Sequence, residues 1–398
     1  MNGRVFQNLF SIAIATAFVW QAMPIGLVQA EEDIVIGMST ALSGPTARLG
    51  LDMRAGVNAA FQEINSQEGV NGRMVQLIAL DDAYEPRNCR NNMLQLIGNE
   101  NVMAIIGNVG TPTAVVAVPL ANEHRIPFVA PFTGASLLRK SPPDRYVVNY
   151  RASYAEETAA MVKGLVQAGI KPSEIAFFTQ DDSYGDDGYY GGLAAIQSIR
   201  PEITQAEIAH GRYARNSQAV ESALADLLVH SPTPKAVIMI GAYAPCAEFI
   251  RLSKANSFEP RFLNVSFVGV DPLLNSLGKL SEGVVVTQVV PHYEGDTPIA
   301  LEYRRAMQKF QPDEPLSFGS LEGYIAGRLL LRSMQSIEGK LTREKIVEAF
   351  DQMGDFELGL GVPLHLSRKD HQASNMVWPT VIQGQKILPM DWSDWDDQ

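Results

Sequence analysis

Three stretches of the chain bring hydroxyls, glycines and backbone amides together in a way that suits a small anion. They are Ala41-Leu42-Ser43-Gly44-Pro45-Thr46-Ala47-Arg48-Leu49-Gly50, Gly107-Asn108-Val109-Gly110-Thr111-Pro112-Thr113, and Pro131-Phe132-Thr133-Gly134-Ala135-Ser136. The second leads into a helical pattern, whose first-turn amides have no partner within the helix and, with the Thr111 hydroxyl, could seat a carboxylate. Each charge-assisted hydrogen bond in such a seat contributes about 1.5–3 kcal/mol. The other reading of Thr111 is a simple helix cap; spacing alone leaves both open. Arg48 is a lone cation among turn residues, either a ligand contact or a solvated side chain.

Covalent and metal chemistry finds less support. The six histidines include no i, i+4 pair, and Cys89 and Cys246 cannot build a four-cysteine site. No G-x-S-x-G elbow is present. Asp81-Asp82 begins no EF-hand loop, and Gly185-Asp186-Asp187-Gly188-Tyr189-Tyr190-Gly191-Gly192 lacks the order of a phosphate-binding loop. No enzyme activity, cofactor or metal is expected. The two thiols either pair or stay free and buried.

The elements that must position these loops alternate. Apolar runs such as Ile34-Val35-Ile36-Gly37-Met38, Met74 to Leu80, Val102 to Ile106 and Ala236 to Ile240 read as strands. Between them lie helical patterns, for example Leu51 to Gln67, where Met53, Val57, Ala60, Phe61 and Ile64 share a face. Further strands are expected over Glu174 to Thr179, Ile203 to Ile208 and Phe262 to Val268, helices over Pro298 to Phe350, and extended chain over Met376 to Leu388. Such alternation gives parallel sheets covered by helices on both faces, and this many units needs two sheets. In open α/β sheets ligands sit beyond the carboxyl ends of the strands, where the three loops fall.

The 398 residues, 46% of them hydrophobic, suffice for two such halves. A net charge of −12 repels phosphate backbones and argues against nucleic acid as a partner. Arg4, the apolar run from Leu9 to Trp20 and Val28-Gln29-Ala30 read as a secretory signal peptide cleaved after Ala30. The apolar run is too short for a membrane span. The mature protein is therefore expected in an exported, soluble form, with an acidic tail over Asp391 to Asp397.

Six segments in order carry a family resemblance. They are Leu42-Ser43-Gly44-Pro45, Glu68 to Arg73, Asp81-Asp82-Ala83-Tyr84-Glu85-Pro86, Ile106-Gly107 with its Thr-rich loop, Asp181-Asp182-Ser183-Tyr184-Gly185, and Gly241-Ala242-Tyr243. Together they resemble the leucine/isoleucine/valine-binding family of periplasmic solute receptors that serve ABC transporters. The resemblance implies a type I periplasmic binding protein, with two doubly wound parallel-sheet lobes joined by three crossovers. The lobes would span 31–153 plus 292–358 and 154–291 plus 359–398. It implies a small carboxylate-bearing solute (amino acid, organic acid or amide), permease subunits in the inner membrane as partners, a periplasmic location and a monomer. A ligand-sensing receptor of the same fold is the alternative.

By the same resemblance Thr111, with Pro112, marks the carboxylate seat, and Phe132, Thr133 and Gly134 add amides or hydroxyls. Tyr184 and Tyr243 match aromatic positions closing from the second lobe, and Arg48 or Leu49 the ligand's tail. Tyr154 follows a crossover and serves either hinge packing or ligand contact. Relatives carry an ammonium-neutralising Glu where this chain has Ser266, and often a hydroxyl where it has Gly134. Glu156 either supplies the missing charge or sits in a helix's first turn. On these residues carboxylate recognition is better supported than ammonium recognition.

Overall fold

Strand β1 (Ile34–Thr40) is buried because helices cover both of its faces. Ile34, Ile36 and Met38 join a core with Met53, Val57 and Phe61, whereas Val35 packs against the cluster of Cys89, Met93, Leu96 and Ile105. The period of two in a strand makes this division automatic once helices lie above and below. The computed structural model describes Met1 and residues 32–393. The leader expected over 1–30 with its cleavage after Ala30, and the end of the acidic tail, lie outside the described residues.

The first half alternates β1, α1 (Ala47–Asn65), β2 (Val75–Asp81), α2 (Pro86–Gly98), β3 (Ala104–Ile106), α3 (Thr111–Glu123), β4 (Phe128–Val129) and β5 (Val147–Val148). Its sheet is parallel throughout, in the order β2-β1-β3-β4-β5. The chain then continues through α4 (Tyr154–Gln167), β6 (Ile175–Gln180), α5 (Ser183–Ile199), β7 (His210–Tyr213), α6 (Glu221–Leu228) and β8 (Ala236–Ile240). Next come α7 (Tyr243–Ala255), β9 (Arg261–Asn264), α8 (Val270–Leu277) and β10 (Val285–Gln288). Helices α9 (Pro298–Phe310), α10 (Phe318–Gln335) and α11 (Arg343–Asp351) follow, then the hairpin β11 (Gly354–Phe356) and β12 (Leu364–Leu366). Strands β13 (Trp378–Gln383) and β14 (Lys386–Pro389) extend the second sheet antiparallel, in the order β14-β13-β10-β9-β8-β6-β7.

The chain passes between the halves three times, and the passages are bonded to one another. Asn149 accepts from Ala373 N (2.9 Å) and donates to His371 O (2.7 Å), while Tyr150 O accepts from Ser374 N (2.9 Å). Tyr150 Oη donates to Val289 O on the second passage (3.1 Å). Arg139 ties the set together, donating to Ala135 O, Arg151 O and Gln372 Oε1. The expected division put the last passage after residue 358. Hydrogen bonds tie residues 371–374 of that passage to Asn149 and Tyr150 on the first, and His365 N donates to Ala373 O within it (3.1 Å).

Two expected strands are displaced. Ile203 and Ile208 are buried without pairing, around a 3-10 turn at Gln205–Glu207, and the paired segment is His210–Tyr213. Phe262 to Val268 splits into β9 and a 3-10 turn at Ser266–Val268. The helix expected after the Thr-rich loop runs over Thr111–Glu123. Cys89 and Cys246 are free and buried, on α2 and α7. Among the described residues no helix is long and apolar enough to cross a membrane.

Helix α10 lies directly on α1. A Cβ on Gly56 would sit 1.9 Å from Ser320 O, and one on Gly323 2.3 Å from Met53 O. The two backbones could not approach so closely with larger residues. Gly56→Ala and Gly323→Ala are each expected to lower stability by about 1–3 kcal/mol, the range for overpacking. Denaturant unfolding checks this; an unchanged midpoint would contradict the contact.

Candidate functional site

The carboxyl ends of β3 and β4 set the first wall. Helix α3 begins at Thr111 behind Gly110, and no side chain caps it. Thr113, not Thr111, turns its hydroxyl back onto the chain, donating to Gly110 O at 2.8 Å. The capping role for Thr111 therefore falls away. Its Oγ1 lies 2.7 Å from Thr133 Oγ1, and Tyr154 Oη donates to Thr133 Oγ1 at 3.2 Å. Pro112 has no N–H, so the amides of Thr111 and Thr113 are the donors of the first turn. Gly134 has no room for a side chain: a Cβ there would sit 2.6 Å from Tyr154 N. Thr111, Pro112, Phe132, Thr133, Gly134 and Tyr154 are thus brought together, all buried.

A layer of aromatic rings covers this wall from the second half. Tyr184, on the first turn of α5, lies 5.1 Å from the Tyr154 ring and 4.6 Å from Phe267. Phe267 also meets Phe132 (5.6 Å) and Tyr84 (5.9 Å). Such tilted pairs add about 0.5–1.5 kcal/mol beyond area burial. Tyr84 and Phe267 were missed in the sequence, although Tyr84 stands in a quoted segment. Its position is set by Asp82, which accepts from Tyr84 N at 2.9 Å and from Ser39 Oγ at 2.8 Å. Burial pushes the Asp82 carboxyl up to about 6. Gln180 Nε2 then reaches Tyr84 Oη from β6 (3.2 Å).

Arg48 and Tyr243 stand apart from this layer. Arg48 Nε donates to Asp52 Oδ1 at 2.6 Å and Nη2 to Glu314 Oε2 at 3.0 Å, so its charge is matched within the protein. Tyr243 is half-buried beside it, its hydroxyl pushed up by burial and partly restored by a backbone bond to Arg48. Polar pairs close the rim: Ser136 N to Asp187 (3.1 Å), Arg215 to Glu85 (3.0 Å) and Asn216 Nδ2 to Glu85 (2.7 Å).

Ser266 opens the charged end of the site. Glu156, the acid considered for its missing charge, is held in a capping box with Ser153. The next residue, Glu157, reaches Ser266 instead. Its carboxylate accepts from Ser266 N (2.7 Å), Ser266 Oγ (2.9 Å) and Thr287 Oγ1 (2.6 Å). One helical step of 100° explains the difference: Glu156 faces the crossover and Glu157 the sheet. Arg151 donates to Ser266 Oγ and lies with its guanidinium 4.8 Å from the Phe132 ring. It is flanked by Glu157 and Glu322, each 3.6 Å away. Arg151, Glu157 and Glu322 were absent from the sequence-based site. No period or motif marks a buried ion triad whose third member, Glu322, comes from a helix far along the chain. Phe132, Ser266, Glu322, Asp52 and Asp271 line the remaining cavity, of only about 10 Å³.

Burial raises both carboxylates, Glu322 to about 7, against the pull of Arg151. Below the ordinary value of 4.5, Glu322 is protonated folded and unfolded. Between 4.5 and about 7 the unfolded chain releases a proton that the folded protein keeps. Stability from this group therefore falls as pH rises through that window, by about 3 kcal/mol in all, and is flat above it. Denaturant unfolding of Glu322→Gln should show a shallower decline across the window than the natural protein. An identical decline would contradict the assignment.

The comparisons with known proteins agree with this architecture. The chain is 24% identical over 389 residues to the Leu/Ile/Val-binding protein homolog 7 of Brucella abortus, covering 93% of each. A possible leucine/isoleucine/valine-binding protein from Rhodopirellula baltica superposes with a TM-score of 0.90 at 52% identity, over 94% of this chain and 99% of that one. A branched chain amino acid ABC transporter protein of Thermus thermophilus with bound valine shares the fold, with a TM-score of 0.78 at 19% identity over 90% and 95%. These relatives are binding proteins. A family model described as periplasmic binding protein matches residues 33–386, and the chain belongs to that family, with the type I fold of leucine/isoleucine/valine-binding proteins.

Proposed function

We propose that the protein is the solute-binding component of an ABC importer, capturing one small carboxylate-bearing solute between its lobes and releasing it unchanged. The observation that carries the reading is the Thr111–Thr133 hydroxyl pair at the first turn of α3, met by Tyr154 and Tyr184 from the other lobe. In this reading the solute's carboxylate meets Thr111, Thr133 and the first amides of α3. Phe132, Gly134, Tyr154 and Tyr184 wall it, with Tyr84 and Phe267. Arg48 and Tyr243 stand at the rim. Glu157 places a carboxylate beside Ser266, but Arg151 matches its charge, so the class stays open to an amino acid, an organic acid or an amide.

The mechanism is hinge closure. Contacts to both lobes lower the energy of the closed form, and the population shifts by that difference. We place the lobes at 33–153 with 292–374 and 154–291 with 375–393, following the hydrogen bonds of the third passage. Export by the leader, cleavage after Ala30, a periplasmic location, a permease partner and a monomeric state belong to the same proposal.

Native mass spectrometry of the protein as purified, followed by a thermal-shift panel of amino acids, organic acids and amides, tests it. One unmodified solute per chain is expected; recovery of a chemically altered solute would overturn it. A solute at 100 times its Kd adds about 2.7 kcal/mol to stability. Thr111→Ala should weaken binding of the solute so found about tenfold or more, the equivalent of about 1.4 kcal/mol. Unchanged affinity would remove Thr111 from the site.

A further inference from the structure

Arg151 stands on the first passage between the lobes, and its guanidinium has one acid from each side. Glu157 comes from α4 in the second lobe and Glu322 from α10 in the first, each 3.6 Å away, with all three side chains 4% exposed or less. The two acids are held differently. Glu157 accepts three hydrogen bonds, from Ser266 N, Ser266 Oγ and Thr287 Oγ1, all within the second lobe. No donor among the described residues bonds the Glu322 carboxylate, which has charge partners only. Arg151 Nε and Nη1 are likewise without hydrogen-bond partners. Two buried carboxylates meet at this guanidinium, Arg139 is the other cation in range of Glu322, and neither cation gives the Glu322 carboxylate a hydrogen bond, which a sealed site tolerates poorly.

The geometry points to a proton-dependent clamp: as the lobes close, α10 brings Glu322 against a guanidinium already matched by Glu157, and one proton is taken up there. Low pH therefore favours the closed form and high pH the open one, before any solute binds. When the lobes part, Glu322 faces water and returns toward its ordinary 4.5, whereas in the closed form burial holds it near 7. Closure thus takes up a proton across that interval. The groups facing Glu322 are Arg151 and Tyr150 on the passage, Glu157 on α4 and Arg139 from the turn after β4. Asp52 and Asp271 share its cavity. Asp271, bonded to Tyr293, is pushed up to about 6 and adds a smaller share of the same sign.

The test needs no solute. Arg90→Cys on α2 and Asp226→Cys on α6 are exposed positions on different lobes, and the natural thiols are buried. Protein freed of small molecules and labelled there with a dye pair is read by energy transfer from about pH 4 to about 8.5. The dye distance should lengthen as pH rises, with a midpoint near that of Glu322. Glu322→Gln should stay short throughout, and Asp271→Asn should keep most of the transition. A constant distance in the natural protein, or a full transition in Glu322→Gln, would overturn the clamp. Should Glu322→Gln fail to fold, the midpoint in the natural protein decides: one near 4.5 overturns it, one near 7 supports it. Solute binding at a fixed acid pH is untouched by either result, so the clamp and the transport reading fail separately.

Discussion

A guanidinium sealed from water must find its counter-charges inside the protein, and Arg151 finds them on opposite lobes. That single requirement ties the first passage to α4, α10 and the turn at Ser266. The neighbouring interactions are local by comparison. Arg139 and Tyr150 brace the passages, and the side-by-side bonds of 149–150 with 371–374 keep the first and third passages together.

The two sheets present their carboxyl ends to this hinge, and the chemistry of each end differs. The first lobe contributes hydroxyls and helix amides, small donors set on rigid elements. The second contributes rings, which exclude water, and Glu157, fixed by three donors. Fixed dipoles in a dry layer act more strongly than the same groups in water, which is why so few are needed. The rim pairs, such as Arg215 with Glu85, are more exposed, and exposed pairs contribute about 0–1 kcal/mol each. They close the edge; the interior sets the energy.

Much of this was legible before the fold was seen. The alternation of apolar runs and amphipathic stretches gave both sheets, because strands buried on two faces announce themselves as unbroken Val and Ile runs. That Thr111 and Thr133 would lie near one another was legible because both follow neighbouring strands in loops of glycine and hydroxyl. Strand β7 was not, since His210-Gly211-Arg212-Tyr213 has no apolar run and its pairing depends on Gly211 lying close to Ala223. The ion triad was illegible for a different reason. Arg151, Glu157 and Glu322 are ordinary charged residues in sequence, and only the return of α10 to the first lobe puts the third beside the other two. Glu156 drew attention because it begins a helix, where acids commonly sit; the acid that bonds Ser266 is its neighbour, one helical step around.

The central claim is that two lobes joined by this hinge move together around a solute. Small-angle X-ray scattering at a pH above 8, with and without the solute recovered from the purified protein, tests it most directly. The radius of gyration should fall when solute is added and return when it is dialysed away. A radius that stays the same with saturating solute would contradict the account.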